Sequence, residues 1–127
     1  MNHPPEVEAY LSKAHHALEV AWKLQAGGEL ADAAGKAYYA MFYAAQALLK
    51  AHGIEVVKHS AVASMLGRHF AKTGRLDPKF HRMFINARRV REVADYSLFE
   101  EVIESTANLT LEESQAFVSE IERLLKQ

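Results

Sequence analysis

One segment, AYYAMFYAAQALL at residues 37–49, constrains the fold more than any other part of the chain. It is apolar on nearly every side of a helix, so it must be buried on most sides, in the core or against a partner. Its five alanines permit close helix packing, and we expect one face to meet a second copy of the chain. The segment predicts a central helix from about Glu29 to His52, with Gly53 as its C-terminal stop.

Helical periodicity extends over almost the whole of the 127-residue chain. The other predicted helices run from just after Asn2 to Gly27-Gly28, from Ser60 to Lys72, from Asp77-Pro78 to Tyr96, and from a Thr110/Glu113 capping box to Lys126. Residues 97–108 remain ambiguous between a loop and a single helical turn. The expected fold is all-α, an up-and-down bundle of about five helices that forms one domain over residues 1–127.

Composition narrows the classes of function. The absence of cysteine excludes disulfides and thiolate metal sites, and none of the seven histidines has the four-residue spacing of a helical zinc motif. We therefore expect no metal and no cofactor. No secretory signal or stretch of about 18 apolar residues is visible, which favours a cytoplasmic protein without a membrane partner. Because the net charge is only -1, a nucleic-acid partner would need a local basic patch.

One arginine interrupts the apolar face of the fourth helix. At about 100° per residue, six apolar residues share a sector of about 120°, and Arg91 falls inside it: Phe80, Met83, Phe84, Ala87, Val90 and Ala94. Arg88 and Asp95 lie at its edge, and Asp95 can pair with Arg91 along the helix. Two interpretations remain open. Arg91 and Asp95 form a structural pair at the edge of the core, or Arg91 lies in a cleft and grips a phosphate, with Tyr96 nearby.

The same part of the chain carries a family resemblance. AYYAMFYAAQALL, KHSAVASMLGRHF, KTGRLDPKF and RRVREVADY follow one another as in the HEPN superfamily, over about residues 37–96. The chain resembles in particular the small stand-alone prokaryotic HEPN proteins, whose fourth helix ends in Arg-x-x-Ala-Asp-Tyr, here residues 91–96. The resemblance implies a helical bundle that dimerises with its motif arginines near a shared cleft. We expect the second and fourth helices to form that homodimer.

The resemblance also implies a function and a set of site residues. Many members are ribonuclease toxins that a minimal nucleotidyltransferase neutralises, in some pairs by adding AMP to a tyrosine near the motif. RNA or a nucleotide would then be the ligand. The residues implied here are Arg91 and Asp95 as candidate catalytic groups, with His59 as a further candidate, Arg88 and Lys58 for binding, and Tyr96 as the AMP acceptor.

The chain departs from the ribonuclease pattern, which is Arg, four to six residues, then His. No histidine lies beyond His81. Arg75 and His81 match the pattern literally, but Arg75 precedes the start of the fourth helix, so we interpret the match as coincidence. Cleavage would need another general base, or a mechanism led by electrostatic stabilisation of the oxyphosphorane. The candidate bases are Asp95, which a salt bridge to Arg91 would weaken, and His59. For His59 and the following Ser60, helix capping is the favoured interpretation.

Three functions stay open. The preferred one is a toxin-like subunit controlled by a nucleotidyltransferase. The alternatives are an active metal-independent endoribonuclease that uses Arg91 and a non-catalytic module that binds nucleotide or RNA.

Overall fold

The computed structural model describes residues 3–127, and all of its regular structure is helical. The helices are α1 (Pro5–Ala26), α2 (Leu30–Ala51), α3 (His59–Leu66), α4 (Pro78–Tyr96) and α5 (Glu104–Leu125). The predicted all-α bundle is confirmed. Asn2, after which the first helix was expected to start, lies outside the described residues. Within the described part of the chain, no helix combines the length and apolar character needed to cross a bilayer.

The central position of α2 follows from its composition. This helix packs against α1, α3, α4 and α5, and residues 37–49 are buried except for the half-buried Tyr39 and Tyr43. Since a three-residue connection joins α1 to α2, these two helices run antiparallel. The predicted stop at Gly53 is confirmed by its φ of 72°, which is the left-handed conformation that glycine adopts without steric cost.

The start of α4 is fixed by two adjacent residues. Asp77 is the N-cap, and its carboxylate accepts a hydrogen bond from the backbone N–H of Lys79 at 3.0 Å. Pro78 occupies the first helical position, where no N–H is required. The predicted helix from Asp77-Pro78 to Tyr96 is confirmed, so Arg91 lies in its last turns.

The predicted third helix, Ser60 to Lys72, is only partly correct. The α-helix ends at Leu66, and residues Gly67–Ala71 form a π-helical turn. The imidazole of His81, on α4, donates to the carbonyl of Ala63 at 2.9 Å, and a Cβ at Gly67 would lie 2.9 Å from that ring. Glycine at position 67 therefore lets the π-helical turn approach His81 of α4 this closely.

The predicted start of the last helix is wrong. Its capping box, Thr110 with Glu113, lies inside α5, which begins at Glu104 after the N-cap residue Ile103. Thr110 is buried, and its hydroxyl donates to the carbonyl of Thr106 at 2.8 Å. The same residue pattern occurs within helices, because threonine can bond to the carbonyl four residues earlier as well as cap a helix end.

Candidate functional site

Arg91 lies on α4 with its side chain 18% exposed. Its Nε is 2.8 Å from Oδ2 of Asp95, one turn further along the helix. The Nε–H is not directed at that oxygen and makes no hydrogen bond within the described chain, so the contact is an ion pair. The hydroxyl of Tyr39, on α2, accepts a hydrogen bond from Nη2 at 3.1 Å. Arg91 is thus anchored from two helices.

Three tyrosine rings surround the Arg91 guanidinium. Its Cζ lies 5.4 Å from the ring centre of Tyr39, 5.6 Å from Tyr96 and 6.0 Å from Tyr38, within the range of cation–π attraction. Burial alone would lower the pKa of Arg91, but the neighbouring Tyr39, Asp95, Tyr96 and Tyr38 together outweigh burial and raise it. The guanidinium is therefore a permanently charged group in a largely desolvated position.

His59 joins the same cluster from the first residue of α3. Its Nδ1 lies 2.7 Å from the hydroxyl of Tyr38, and its ring stacks on Phe42 at a centroid distance of 4.1 Å. Burial raises the pKa of Tyr38 to about 12, more than Arg88 and Arg91 lower it. The Tyr38 phenol is therefore protonated at neutral pH and suited to donate to Nδ1, which leaves the ring proton of a neutral His59 on Nε2.

The favoured interpretation of His59 and Ser60 as helix caps is wrong. The N-cap of α3 is Lys58, and no side chain caps this end. The His59 ring cannot cap the helix because it is stacked on Phe42 and bonded to Tyr38. We call the group Arg91, Asp95, Tyr38, Tyr39, Tyr96 and His59 the Arg91 cluster.

The protonation of His59 gives a testable pH dependence. Its pKa is lowered by burial and by the positive charges of Arg91 and Arg88. In the unfolded chain the pKa is about 6.5, so the unfolded state takes up a proton first as the pH falls. The stability contributed by neutral His59 is full above about pH 6.5 and is lost as the pH falls from there towards the folded-state pKa.

We therefore expect the melting temperature of the wild type to fall more, between about pH 7.5 and pH 5, than that of His59→Gln. Glutamine does not titrate but can still accept a hydrogen bond from Tyr38. Circular dichroism melts of both proteins at each pH provide the comparison. Parallel curves would show that His59 is as easily protonated in the folded as in the unfolded chain.

The other predicted residues differ in how closely they approach Arg91. Tyr96 is 71% exposed, with its ring beside Arg91. Arg88 is half-buried and forms an ion pair with Glu92 at 3.4 Å, and its charge acts on both His59 and Tyr38. Lys58 is exposed and precedes His59 directly. The structure therefore brings Arg91, Asp95, Tyr96, Arg88 and His59 together, whereas the Lys58 side chain has no contact that ties it to them.

Arg75 and His81, the literal match to the ribonuclease pattern, do not form a common site. Arg75 donates to Nε2 of His52 at 3.1 Å, whereas His81 bonds to the backbone of Ala63. These partners belong to separate contacts of the bundle. Within residues 3–127, no group of three or more His, Cys, Asp or Glu side chains is arranged to hold a metal ion.

Sequence reasoning missed two members of the cluster, Tyr38 and Tyr39. Both lie in the segment 37–49, which the sequence assigns to the core or to a partner contact, and for Tyr38, which is fully buried, packing is indeed part of its role. Their hydroxyls, however, bind His59 and Arg91. The available signal was a polar hydroxyl on a nearly all-apolar helix, since buried hydroxyls require hydrogen-bond partners.

Comparisons with known proteins find similarity over nearly the whole chain. The family model described as HEPN domain matches residues 7–126. A UPF0332 protein of Pyrococcus horikoshii is 33% identical, over 86% of this chain and 77% of the relative. A UPF0332 protein of Thermotoga maritima is 29% identical, over 94% and 91%. The protein named "Putative toxin MJ0605" of Methanocaldococcus jannaschii is 30% identical, over 96% and 90%.

Proposed function

Since this chain is a member of the HEPN-domain family, we propose that it is a toxin-like HEPN protein whose Arg91 cluster binds the phosphate groups of RNA or of a nucleotide. Similarity to a relative that carries the word toxin in its name supports the first part. The chemistry of Arg91 supports the second. Metal is not needed for such binding, because the guanidinium itself supplies both the charge and the hydrogen-bond donors.

The observation that carries the proposal is the incomplete bonding of Arg91, a charged side chain that is only 18% exposed and whose buried Nε makes no hydrogen bond within the described chain. A guanidinium has five N–H donors, and within the described chain Arg91 uses only one of them in a hydrogen bond, to Tyr39. The ion pair with Asp95 balances part of its charge. Buried polar groups are normally satisfied, and a phosphate offers several acceptor oxygens in the geometry that a guanidinium fork matches.

The cluster also supports a second candidate, a metal-independent endoribonuclease. In such cleavage a base removes the proton of the 2′-hydroxyl, that oxygen attacks the phosphorus, and the 5′-oxygen leaves after taking up a proton. Arg91 would stabilise the charge that develops on the phosphate oxygens. His59 and Asp95 are the candidate proton carriers. A neutral His59 with its proton on Nε2 can donate a hydrogen bond to the leaving oxygen, but protonating that oxygen requires the imidazolium form, which the lowered pKa of His59 disfavours at neutral pH.

Cleavage and binding of a fluorescent single-stranded RNA in EDTA distinguish these functions. Cleavage by the purified protein, absent in Arg91→Ala, would select the endoribonuclease. Saturable binding without cleavage would select a phosphate-binding role, either in a partner-controlled toxin-like subunit or in a binding module. If the folded protein neither binds nor cleaves RNA and binds no nucleotide, the proposed function is wrong.

We also propose control by a minimal nucleotidyltransferase that modifies Tyr96. The exposed phenol lies beside Arg91, where an added AMP would place a negative phosphate against the guanidinium. In this step the phenolic oxygen attacks the α-phosphate of ATP and pyrophosphate leaves. Incubation with such a partner and ATP should add the mass of one AMP to the wild type and none to Tyr96→Phe. Equal modification of both proteins would exclude Tyr96 as the acceptor.

A homodimer through α2 and α4 belongs to the same proposal. Within one chain, the apolar face of α4 is only half covered at Met83, Val90 and Ala94, and the following residues Leu98 and Phe99 are almost fully exposed. Within residues 37–49 of α2, Tyr39 and Tyr43 are the half-buried residues, so they are the part of this segment left for a partner. We expect light scattering at tens of micromolar to give twice the chain mass of 14.2 kDa. A monomer mass would contradict this interface.

A further inference from the structure

A depression adjoins the Arg91 cluster between α1, α2 and α4. Its volume is 420 Å³, and two aliphatic side chains of α1 form one wall. The remaining lining residues are Asp32, Gly35, Lys36 and Tyr39 of α2 and Asp95 of α4. Tyr39 and Asp95 are also the two groups that hold Arg91, so the depression adjoins the position where a ligand of Arg91 would bind.

The shape of the depression depends on Gly35. A Cβ at this position would have no atom within 4 Å, so the helix surface is open here. Glycine inside a helix costs about 0.5–1 kcal/mol relative to alanine, and at this position it leaves room for a ligand. The aliphatic wall of α1 and the half-buried ring of Tyr39 provide apolar surfaces of the kind on which planar bases stack.

The polar groups of the depression suit one edge of a base. Asp32 and Lys36 are one turn apart on α2, a spacing at which opposite charges usually pair. Neither forms an ion pair with a described residue. Guanine presents two adjacent N–H donors, at N1 and N2, next to the O6 acceptor. A carboxylate can accept from both donors while an ammonium donates to O6, whereas uracil offers a single donor between two acceptors.

We propose that this depression is a nucleobase subsite that prefers guanine, with Asp32 and Lys36 reading the base and Tyr39 packing against it. The proposal rests on the phosphate-binding function of Arg91 proposed above and names the ligand class of the same site. Guanine nucleotides, or RNA with guanine at the bound position, are the ligands that it predicts.

The test compares GMP, UMP and ribose 5-phosphate by isothermal titration calorimetry. The wild type should bind GMP about tenfold more tightly than UMP, as expected for one bidentate base contact. Gly35→Leu fills the depression and should abolish this preference while ribose 5-phosphate still binds. The matched control is Ala31→Leu, which places the same leucine side chain at an exposed position of α2 outside the depression and should keep the preference.

The outcomes separate the subsite from the function on which it rests. Equal affinity of the wild type for GMP and UMP, or a preference that survives in Gly35→Leu, would overturn the guanine subsite alone, provided that Arg91→Ala still reduces ribose 5-phosphate binding. If none of the three probes binds, or if Arg91→Ala binds all of them like the wild type, the phosphate-binding proposal fails and the subsite fails with it. Melting temperatures of each variant verify folding.

Discussion

Arg91→Ala is expected to weaken the binding of a single-stranded RNA oligonucleotide by about 100-fold, which corresponds to about 2.7 kcal/mol. The loss is large because charge-assisted, forked hydrogen bonds in a desolvated position are the strongest that a side chain makes to phosphate. Folding should be retained, since the carboxylate left behind, Asp95, is 43% exposed and can be hydrated. Fluorescence anisotropy at fixed salt measures the affinity, and circular dichroism verifies the fold.

Two further variants test whether the loss of RNA affinity is specific to the guanidinium of Arg91. Arg91→Lys keeps the charge but loses the fork, so its affinity should lie between those of the wild type and Arg91→Ala. Arg89→Ala removes the same charge from an exposed position on α4, where the guanidinium donates a hydrogen bond to Asn86, and should have a small effect. If Arg89→Ala is as damaging as Arg91→Ala, binding is a diffuse effect of net charge and the cluster has no special role.

Phe84→Ala is expected to lower the free energy of unfolding by about 3–5 kcal/mol. Phe84 is fully buried on α4, and its ring stacks at centroid distances of 5.6 Å on Tyr38 and 5.7 Å on Phe117. Truncation leaves a cavity where α2, α4 and α5 meet, which few domains of this size tolerate without a large loss of their total stability. The same cavity would loosen Tyr38, and with it the contact to His59.

Urea denaturation of three proteins tests this prediction. Phe99→Ala removes the same side chain from a position that is 93% exposed, so its free energy of unfolding should differ from the wild type by no more than about 0.5 kcal/mol. A loss below about 1 kcal/mol for Phe84→Ala would mean that the stacked rings contribute far less than their burial indicates.

The sequence predicted those helix ends that are determined by the residues at the end itself. Asp77-Pro78 and Gly53 mark helix ends through their own backbone chemistry, and the structure confirms both. The start of α5 was missed because none of its first residues is a side-chain cap, while Thr110 and Glu113 imitate one inside the helix. The π-helical turn at Gly67–Ala71 accompanies a contact with His81 of another helix, which periodicity cannot reveal.

The sequence predicted the site residues that interrupt the apolar face of their helix and missed the site residues that fit such a face. Arg91 stands out because a charge falls on an apolar face, and Asp95 follows from helical spacing. Tyr38 and Tyr39 look like core residues, since their hydroxyls find their partners 21 and 52 residues away in the sequence, at His59 and Arg91. Such pairings depend on how α2, α3 and α4 pack, so only the folded chain reveals them.

The most direct test of the central claim observes Arg91 itself during ligand binding. The Nε–H of Arg91, which makes no hydrogen bond within the described chain, gives a side-chain signal in ¹H–¹⁵N NMR spectra that Arg91→Lys identifies by its disappearance. Titration with ribose 5-phosphate and with a short RNA should shift this signal saturably, while the signal of the exposed Arg89 changes little. If both ligands bind and the Arg91 signal does not move, phosphate is recognised elsewhere and Arg91 has a structural role.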